Sequence, residues 1–166
     1  LKISDLKNAK TALKTGLRIE PNNHKAIFQL GNILLMEKNF KEAINLFDKS
    51  IQIKPDFWQA INNKGLAYFE ENNINLSIKL FEEAISIEDN AEPLLGLASC
   101  LRIKDIKLAL ELAKKALSKD PNYVNYDYRK EQLWGEKLQT STEILLQNDQ
   151  IQSDVILAKS KINASS

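Results

Sequence analysis

Apolar and small residues recur along this chain at helical spacing and are separated by short polar segments. From Ile27 onward they occupy positions i, i+3, i+4 and i+7, and the same rule returns from Ile61 and from Leu94. This spacing predicts an amphipathic helix with one buried face. A second stretch of the same kind follows each of the three, so the pattern predicts consecutive pairs of helices.

The helical pairs repeat with a period of 34 residues. Three residue types show this period, in the pairs Pro21 and Pro55, Gly31 and Gly65, and Phe47 and Phe81. The next unit is two residues shorter, because Ala109 follows Ser77 by 32 residues. Self-similarity at a period of this length predicts helical units that stack into a solenoid.

The second helix of each pair has three fixed positions, which we call the register positions. They are occupied by Ala9, Leu13 and Gly16, then by Ala43, Phe47 and Ser50, then by Ser77, Phe81 and Ala84, and finally by Ala109, Ala113 and Ala116. Small residues let two helices approach closely while large residues fill the space beside them. Each pair is therefore predicted to form a hairpin, with polar turns at residues 38–39, 72–73 and 104–105.

This arrangement resembles the tetratricopeptide repeat, which has the same period and the same order of large apolar, Leu-Gly, Ala, Phe, Ala and Pro positions. The resemblance implies an all-α fold, a right-handed superhelical solenoid of hairpins with C-terminal capping helices. The segment Tyr126–Leu138 further resembles tails of repeat proteins from cyanobacteria and plastids. The predicted units are the second helix of a partial repeat (1–21), two repeats (22–57 and 58–90), a shortened repeat (91–123), and capping helices with a frayed tail (124–166).

The C-terminal tail follows a different pattern. Apolar residues from Tyr126 to Leu145 predict one long helix, in which Leu133, Trp134 and Leu138 cover the last hairpin. A second, short amphipathic helix is predicted from Ile151 to Ile162, and residues 163–166 are predicted to fray.

Charge and composition exclude several classes of function. The 23 basic and 22 acidic residues nearly cancel, so no basic surface for nucleic acid is expected. No apolar run is long enough to span a membrane. The one cysteine, Cys100, forms no internal disulfide, which leaves a reducing compartment or a disulfide-free secreted protein; of the two, a cytoplasmic protein is predicted. Because the chain starts at Leu1 without Met, and its first repeat lacks a first helix, we expect an N-terminal truncation with a missing upstream part, or an unusual start.

Candidate catalytic residues are few. His24 is the only histidine, and Cys100 lies in an apolar helix with no adjacent base. The glycines are spread along the repeats and form no phosphate-binding loop. The chain is therefore predicted to have no enzymatic activity, no metal and no cofactor.

The resemblance implies that the first helix of each hairpin lines a concave groove. Asn32 and Asn63 suit a bound peptide, because a carboxamide both donates and accepts hydrogen bonds. Phe28, Met36 and Phe69 are expected to be exposed there, the alternative being that the two phenylalanines pack against the neighbouring hairpin. The predicted groove residues are Lys25, Phe28, Gln29, Asn32, Leu35, Met36, Gln59, Asn62, Asn63, Leu66, Phe69, Glu70, Ser99 and Arg102.

The predicted function is a scaffold that binds a peptide segment of another protein, as an assembly factor or adaptor. Repeats that bind the acidic C-termini of heat-shock chaperones need cations where this chain has Phe28, Glu92 and Gly96, so an apolar or mixed segment is expected instead. The alternatives are a regulatory or targeting module of a larger enzyme or membrane-anchored protein, and an RNA-binding repeat, which would need a basic groove. A monomer is predicted, with self-association through the last helix as the alternative.

Overall fold

A computed structural model of the chain describes residues 3–164. This part of the chain consists of α-helices, two 3₁₀ turns (Pro121–Val124 and Asp149–Ile151) and their connections, with no strand. The prediction of an all-α fold is confirmed. The helices are α1 (Ile3–Ile19), α2 (His24–Met36), α3 (Phe40–Ile53), α4 (Trp58–Glu70), α5 (Ile74–Ile87), α6 (Ala91–Leu101), α7 (Ile106–Lys119), α8 (Tyr126–Glu131), α9 (Glu136–Leu146) and α10 (Gln152–Ala164).

Helices α2 to α7 form three hairpins, α2–α3, α4–α5 and α6–α7, that stack in chain order. The first helix of each hairpin also packs on the second helix that precedes it, so α1, α3 and α5 contact α2, α4 and α6. Repetition of this packing produces the predicted right-handed solenoid. The first helices α2, α4 and α6 lie side by side on its concave face.

Close helix packing within the hairpins centres on the register positions. All nine register residues of α3, α5 and α7 have no exposed surface. A Cβ added at Gly31 would lie 2.6 Å from Cε1 of Phe47, and one at Gly65 would lie 3.1 Å from Cε1 of Phe81. The recurring glycine is therefore required because a phenylalanine ring of the second helix occupies the space of its side chain.

The turns inside the first two hairpins have the same geometry. Lys38 and Asn72 adopt the left-handed conformation, with φ of 59° and 63°. The next amide in each turn donates to a carbonyl near the end of the first helix, from Asn39 to Leu34 and from Asn73 to Tyr68, both at 2.8 Å. These bonds satisfy carbonyls that the end of a helix leaves without partners.

The tail does not form the long helix that its apolar pattern predicts. The chain leaves α8 at Glu131 and begins α9 only at Glu136, and Leu133 between them has φ of 69°. Arg129 holds the bend, since its buried guanidinium donates to the Tyr123 carbonyl at 2.7 Å and to Gln139 at 2.8 Å. The prediction failed because this reversal depends on tertiary contacts of α8 and α9.

Helix α10 covers the last hairpin. Its Val155 and Ala158 are buried where α10 packs on α7 and on the 3₁₀ turn at residues 121–124. The prediction of a second short helix is confirmed. Asn163 and Ala164, predicted to fray, belong to α10, while residues 165 and 166 lie outside the described part of the chain.

Candidate functional site

The concave face has a row of asparagines along α2 and α4. The Asn63 side chain donates to Oδ1 of Asn32 at 2.9 Å, and the Asn62 side chain donates to Oδ1 of Asn63 at 3.0 Å. Asn62 is fully buried, and its Oδ1 atom has no hydrogen-bond partner among the described residues. The row links the first two hairpins, and of its members Asn32 and Asn63 also line the groove, whereas Asn62 lies beneath it.

Helix α9 fills the C-terminal half of the concave groove, and Glu70 at the end of α4 receives its first turn. The Glu70 carboxylate accepts hydrogen bonds from the backbone amides of Lys137 at 3.3 Å and Leu138 at 3.0 Å. The Lys137 ammonium donates a hydrogen bond to the backbone carbonyl of Glu70 at 2.5 Å. An acidic side chain is favourable there because the first amides of a helix lack intrahelical partners and carry partial positive charge.

Further along the groove, polar side chains of α6 and of its C-cap residue Arg102 contact α9. Arg102 donates to Oγ of Ser141 at 2.8 Å, and Ser141 donates to the Ser99 carbonyl at 2.8 Å. The Ser99 and Thr142 hydroxyls are 2.7 Å apart. Ser99 and Thr142 are almost fully buried, so this part of the groove is closed by the chain itself.

Glu92 of α6 is a buried carboxyl at the centre of the concave face. Its Oε1 accepts a hydrogen bond from the Trp134 indole at 3.2 Å. Burial raises the pKa of Glu92 to about 7, although hydrogen bonds from Trp134, Asn62 and Tyr123 favour the charged form. The contact between α6 and the tail therefore includes a group that titrates near neutral pH.

The N-terminal half of the concave face remains open as a cleft of about 840 Å³. Helix α1 forms one wall, the turn that follows α8 forms the other, and α2 and α4 form the floor. Apolar side chains line it together with carboxamides that can donate and accept hydrogen bonds. Its principal lining residues are Leu6, Leu13, Phe28, Gln29, Asn32, Met36, Gln59, Asn63, Gln132 and Leu133.

The structure distributes the predicted groove residues over different environments. Six line the open cleft: Phe28, Gln29, Asn32, Met36, Gln59 and Asn63. Seven are buried or half-buried outside it: Leu35, Asn62, Leu66, Phe69, Glu70, Ser99 and Arg102. Lys25 is exposed at the start of α2 and does not line this cleft.

The exposure expected for the aromatic groove residues is wrong for Phe69, of which 7% is exposed. Phe69 belongs to the hydrophobic core. Phe28 is half-buried and packs edge-on against Phe57, the N-cap residue of α4, with ring centroids 4.9 Å apart. Met36 is exposed as expected. The aromatic residues thus serve packing between hairpins, and Phe28 also contributes one side to the cleft.

Sequence reasoning missed both walls of the cleft. The α1 wall had a usable signal, since Ala9, Leu13 and Gly16 keep the register of a second helix, and such a helix packs beside the first helix that follows it. The opposite wall, at Gln132 and Leu133, had no sequence signal, because its place depends on the chain reversal after α8.

His24 and Cys100, the two residues considered for catalysis, are each packed against other side chains. His24 packs edge-on against Phe57, with ring centroids 5.1 Å apart. Cys100 is buried, and burial raises the pKa of its thiol to about 12, which disfavours the reactive thiolate. Within residues 3–164, no three His, Cys, Asp or Glu side chains are grouped closely enough to hold a metal ion. No helix of this part is both long and apolar enough to cross a membrane.

The stacked hairpins and their concave cleft define a solenoid of the tetratricopeptide class. Two family models, both described as tetratricopeptide repeat, match residues 24–57 and 59–90. The chain therefore contains two tetratricopeptide repeats, in agreement with the resemblance found in the sequence.

Solved structures of MamA have the same fold. The structure titled "Crystal structure of MamA" is 19% identical, with a TM-score of 0.69 over 97% of this chain and 92% of the other. A structure of MamA from Desulfovibrio magneticus RS-1, residue 41 to the end, is 18% identical, with a TM-score of 0.65 over 96% and 82%. No curated protein matches the chain. The likeness of the tail to cyanobacterial and plastid proteins stays a prediction.

Proposed function

We propose that this chain is a non-enzymatic, cytoplasmic scaffold that binds a peptide segment of a partner protein, as an assembly factor or adaptor. The observation that supports the proposal most directly is the open cleft on the concave face of a tetratricopeptide solenoid. Helix α9 covers the other half of that face. The N-terminal cleft is therefore the place where a segment from outside has room to bind.

The lining of the cleft favours a segment with apolar anchors and little net charge. Phe28, Met36 and Leu133 offer apolar surface, while Gln29 and Gln59 can pair with the amides of a bound backbone. The carboxyl groups of Asp5, Glu92 and Glu131 also line the cleft, and its lining includes no Lys or Arg, so an acidic segment is disfavoured. For a segment without net charge, we expect binding to be held by desolvation of apolar groups more than by Coulomb attraction, and added salt to change the affinity little.

A peptide selected from a phage-displayed library against the full chain tests this proposal. Met36 and Leu76 form a matched pair, because 39% of Met36 and 37% of Leu76 are exposed, the first in the cleft and the second on α5. Met36→Gln should weaken binding about tenfold through lost apolar contact, and Leu76→Gln should leave it unchanged. The reverse result would place binding on the outer helices and contradict the proposal.

A further inference from the structure

Glu92 brings a largely buried carboxyl to the lining of the open cleft. It lies in the first turn of α6, and 9% of the residue is exposed. The Trp134 indole donates to its Oε1 atom at 3.2 Å, and Asn62 and Tyr123 also hydrogen-bond to the carboxyl. All three partners are neutral groups. The fold therefore gives Glu92 hydrogen bonds but no positive charge to pair with.

The titratable groups on the tail side of Glu92 are two tyrosines and an aspartate. Burial raises the pKa of Tyr123 and of Tyr128, so both phenols stay neutral near pH 7. The Tyr128 hydroxyl donates to the Asp120 carboxylate at 3.1 Å. None of these groups brings a positive charge to the Glu92 carboxyl.

The charged residues of α8 and of the cleft do not supply that charge either. The buried guanidinium of Arg129 on α8 is ion-paired with Glu143. Among the described residues, the lining of the cleft has two further carboxyls, Asp5 and Glu131, and no Lys or Arg. The lining residues of α2 and α4 are all uncharged. The cleft thus combines apolar walls with an unneutralised acidic group near its centre.

A carboxylate buried without a cation is unfavourable, because folding removes the water that would stabilise its charge. In the chain alone, Glu92 avoids this cost by keeping its proton, and burial raises its pKa to about 7. A bound cation is the alternative to the proton. Because folding has already taken the carboxyl out of water, an arriving cation gains the attraction and loses only its own hydration.

We propose that the segment bound in the cleft presents a lysine side chain whose ammonium pairs with the Glu92 carboxylate. The inference rests on the proposed function and specifies its partner segment, which carries one lysine among its apolar anchors. The apolar stem of a lysine can lie along Phe28 and Leu133, which line the same cleft, while its ammonium reaches the carboxyl. Arginine is less suited, because its planar fork binds both oxygens of a carboxylate and Oε1 of Glu92 already accepts from Trp134.

This pairing couples binding to the release of one proton. Below pH 7 the lysine must displace the proton of Glu92, which leaves for solvent, whereas above pH 7 the carboxylate is already charged. The lysine itself stays charged throughout this range. The affinity should therefore be about tenfold weaker at pH 6 than at pH 8.

The peptide side of the test uses a phage-displayed library selected against the full chain at pH 8. We expect the selected sequences to share a lysine at one position, with arginine rare there. A synthetic peptide of the selected sequence is then titrated by fluorescence polarisation at pH 6 and pH 8. Replacing its lysine with methionine, which keeps the length and removes the charge, should weaken binding about tenfold at pH 8 and abolish the pH dependence.

Matched variants of the chain assign the effect to Glu92. Glu92→Gln keeps an acceptor for the Trp134 indole, and should weaken binding about tenfold at pH 8 and remove its pH dependence. Glu82→Gln makes the same change at an exposed residue of α5 outside the cleft lining, and should leave both unchanged. Circular dichroism at both pH values checks that each variant is folded.

A measurement on the unaltered chain does not depend on how a variant folds. The side-chain carboxyl ¹³C resonance of Glu92 should titrate near pH 7 in the chain alone. With the lysine peptide bound, the midpoint should fall by at least one pH unit, because the ammonium favours the charged carboxylate. A midpoint that stays in place or rises would contradict the pairing.

The failure of this inference can be told apart from the failure of the proposed function. Selected peptides that Met36→Gln weakens, but that lack a lysine or bind equally well at pH 6 and pH 8, would overturn the lysine pairing and leave the proposed function standing. Equal binding by Glu92→Gln and the wild type would do the same. Peptides that Leu76→Gln weakens and Met36→Gln does not would overturn both.

Discussion

The two ends of the concave face are built from equivalent helices but differ in what lies on them. At the C-terminal end, α9 packs on α4 and α6, and the groove residues Glu70 and Ser99 are hydrogen-bonded to it. At the N-terminal end, the row of Asn32 and Asn63 borders an open cleft, and Ala9 and Gly16 of α1 are exposed. The comparison teaches that a repeat position predicts where a side chain points, and that the rest of the chain decides whether a partner can reach it.

The largest expected effect on stability comes from truncating the same register position in two helices. In α5 this position is fully buried, and in α1 it is half-buried. Phe81→Ala empties a site with no exposed surface and should lower the free energy of unfolding by about 3–5 kcal/mol. Leu13→Ala changes the same register position in α1, where the side chain is half-buried, and should cost about 1–2 kcal/mol. Urea denaturation measures both, and equal losses would mean that α1 is as well packed as α5.

Glu92, at the contact between α6 and the tail, predicts that the free energy of unfolding depends on pH. Because the folded pKa of Glu92 is about 7 and its usual value is 4.5, the folded state binds the proton more tightly than the unfolded state. The stability that Glu92 contributes through this proton is fully present below pH 4.5 and is lost as the pH rises to about 7. The total change in the free energy of unfolding is about 3 kcal/mol.

Thermal melts of the wild type and Glu92→Gln across that window check the pH dependence. The variant keeps a neutral acceptor for the Trp134 indole and should lose the stability change that Glu92 contributes. Identical pH profiles would show that Glu92 does not titrate in this window.

Alanine substitutions at Gly135 and Gly16 compare the packing at the two ends of the concave face. A Cβ at Gly135 would lie 2.6 Å from Oε1 of Glu70, which receives the first turn of α9, so Gly135→Ala should cost about 1–3 kcal/mol. Gly16→Ala meets open space in helix α1 and should stabilise the chain by about 0.5–1 kcal/mol. Melting temperatures that move in the same direction for both would contradict the difference between the ends.

The smallest effect is expected from the ion pair of Lys38 with Glu136, which joins the turn of the first hairpin to the start of α9 at 2.8 Å. Both side chains are largely exposed, so water and salt screen their attraction. Lys38→Ala should not change the urea midpoint measurably. A clear loss would show that α9 depends on surface charge and not on its buried contacts.

The covered and open halves of the groove also separate what the sequence can predict from what it cannot. The 34-residue period, the hairpins and the close approach of Gly31 to Phe47 follow from residue spacing. The predicted groove residues that line the cleft are Phe28, Gln29, Asn32 and Met36 of α2 and Gln59 and Asn63 of α4. Phe69, Glu70 and Ser99 share the same helical spacing but lie beneath α9 or in the core.

By itself the sequence determined the repeated hairpins, because each depends on local helical periodicity and on contacts between segments close in the chain. Only the tertiary structure decided that the chain reverses between Glu131 and Glu136, that α9 enters the groove, and that α10 covers the last hairpin. Those outcomes rest on contacts between distant residues, such as Glu70 with Leu138 and Glu92 with Trp134. No spacing within either segment encodes them, since Glu70 and Glu92 look like ordinary surface residues in the sequence, and the apolar Trp134 and Leu138 do not indicate which surface they cover.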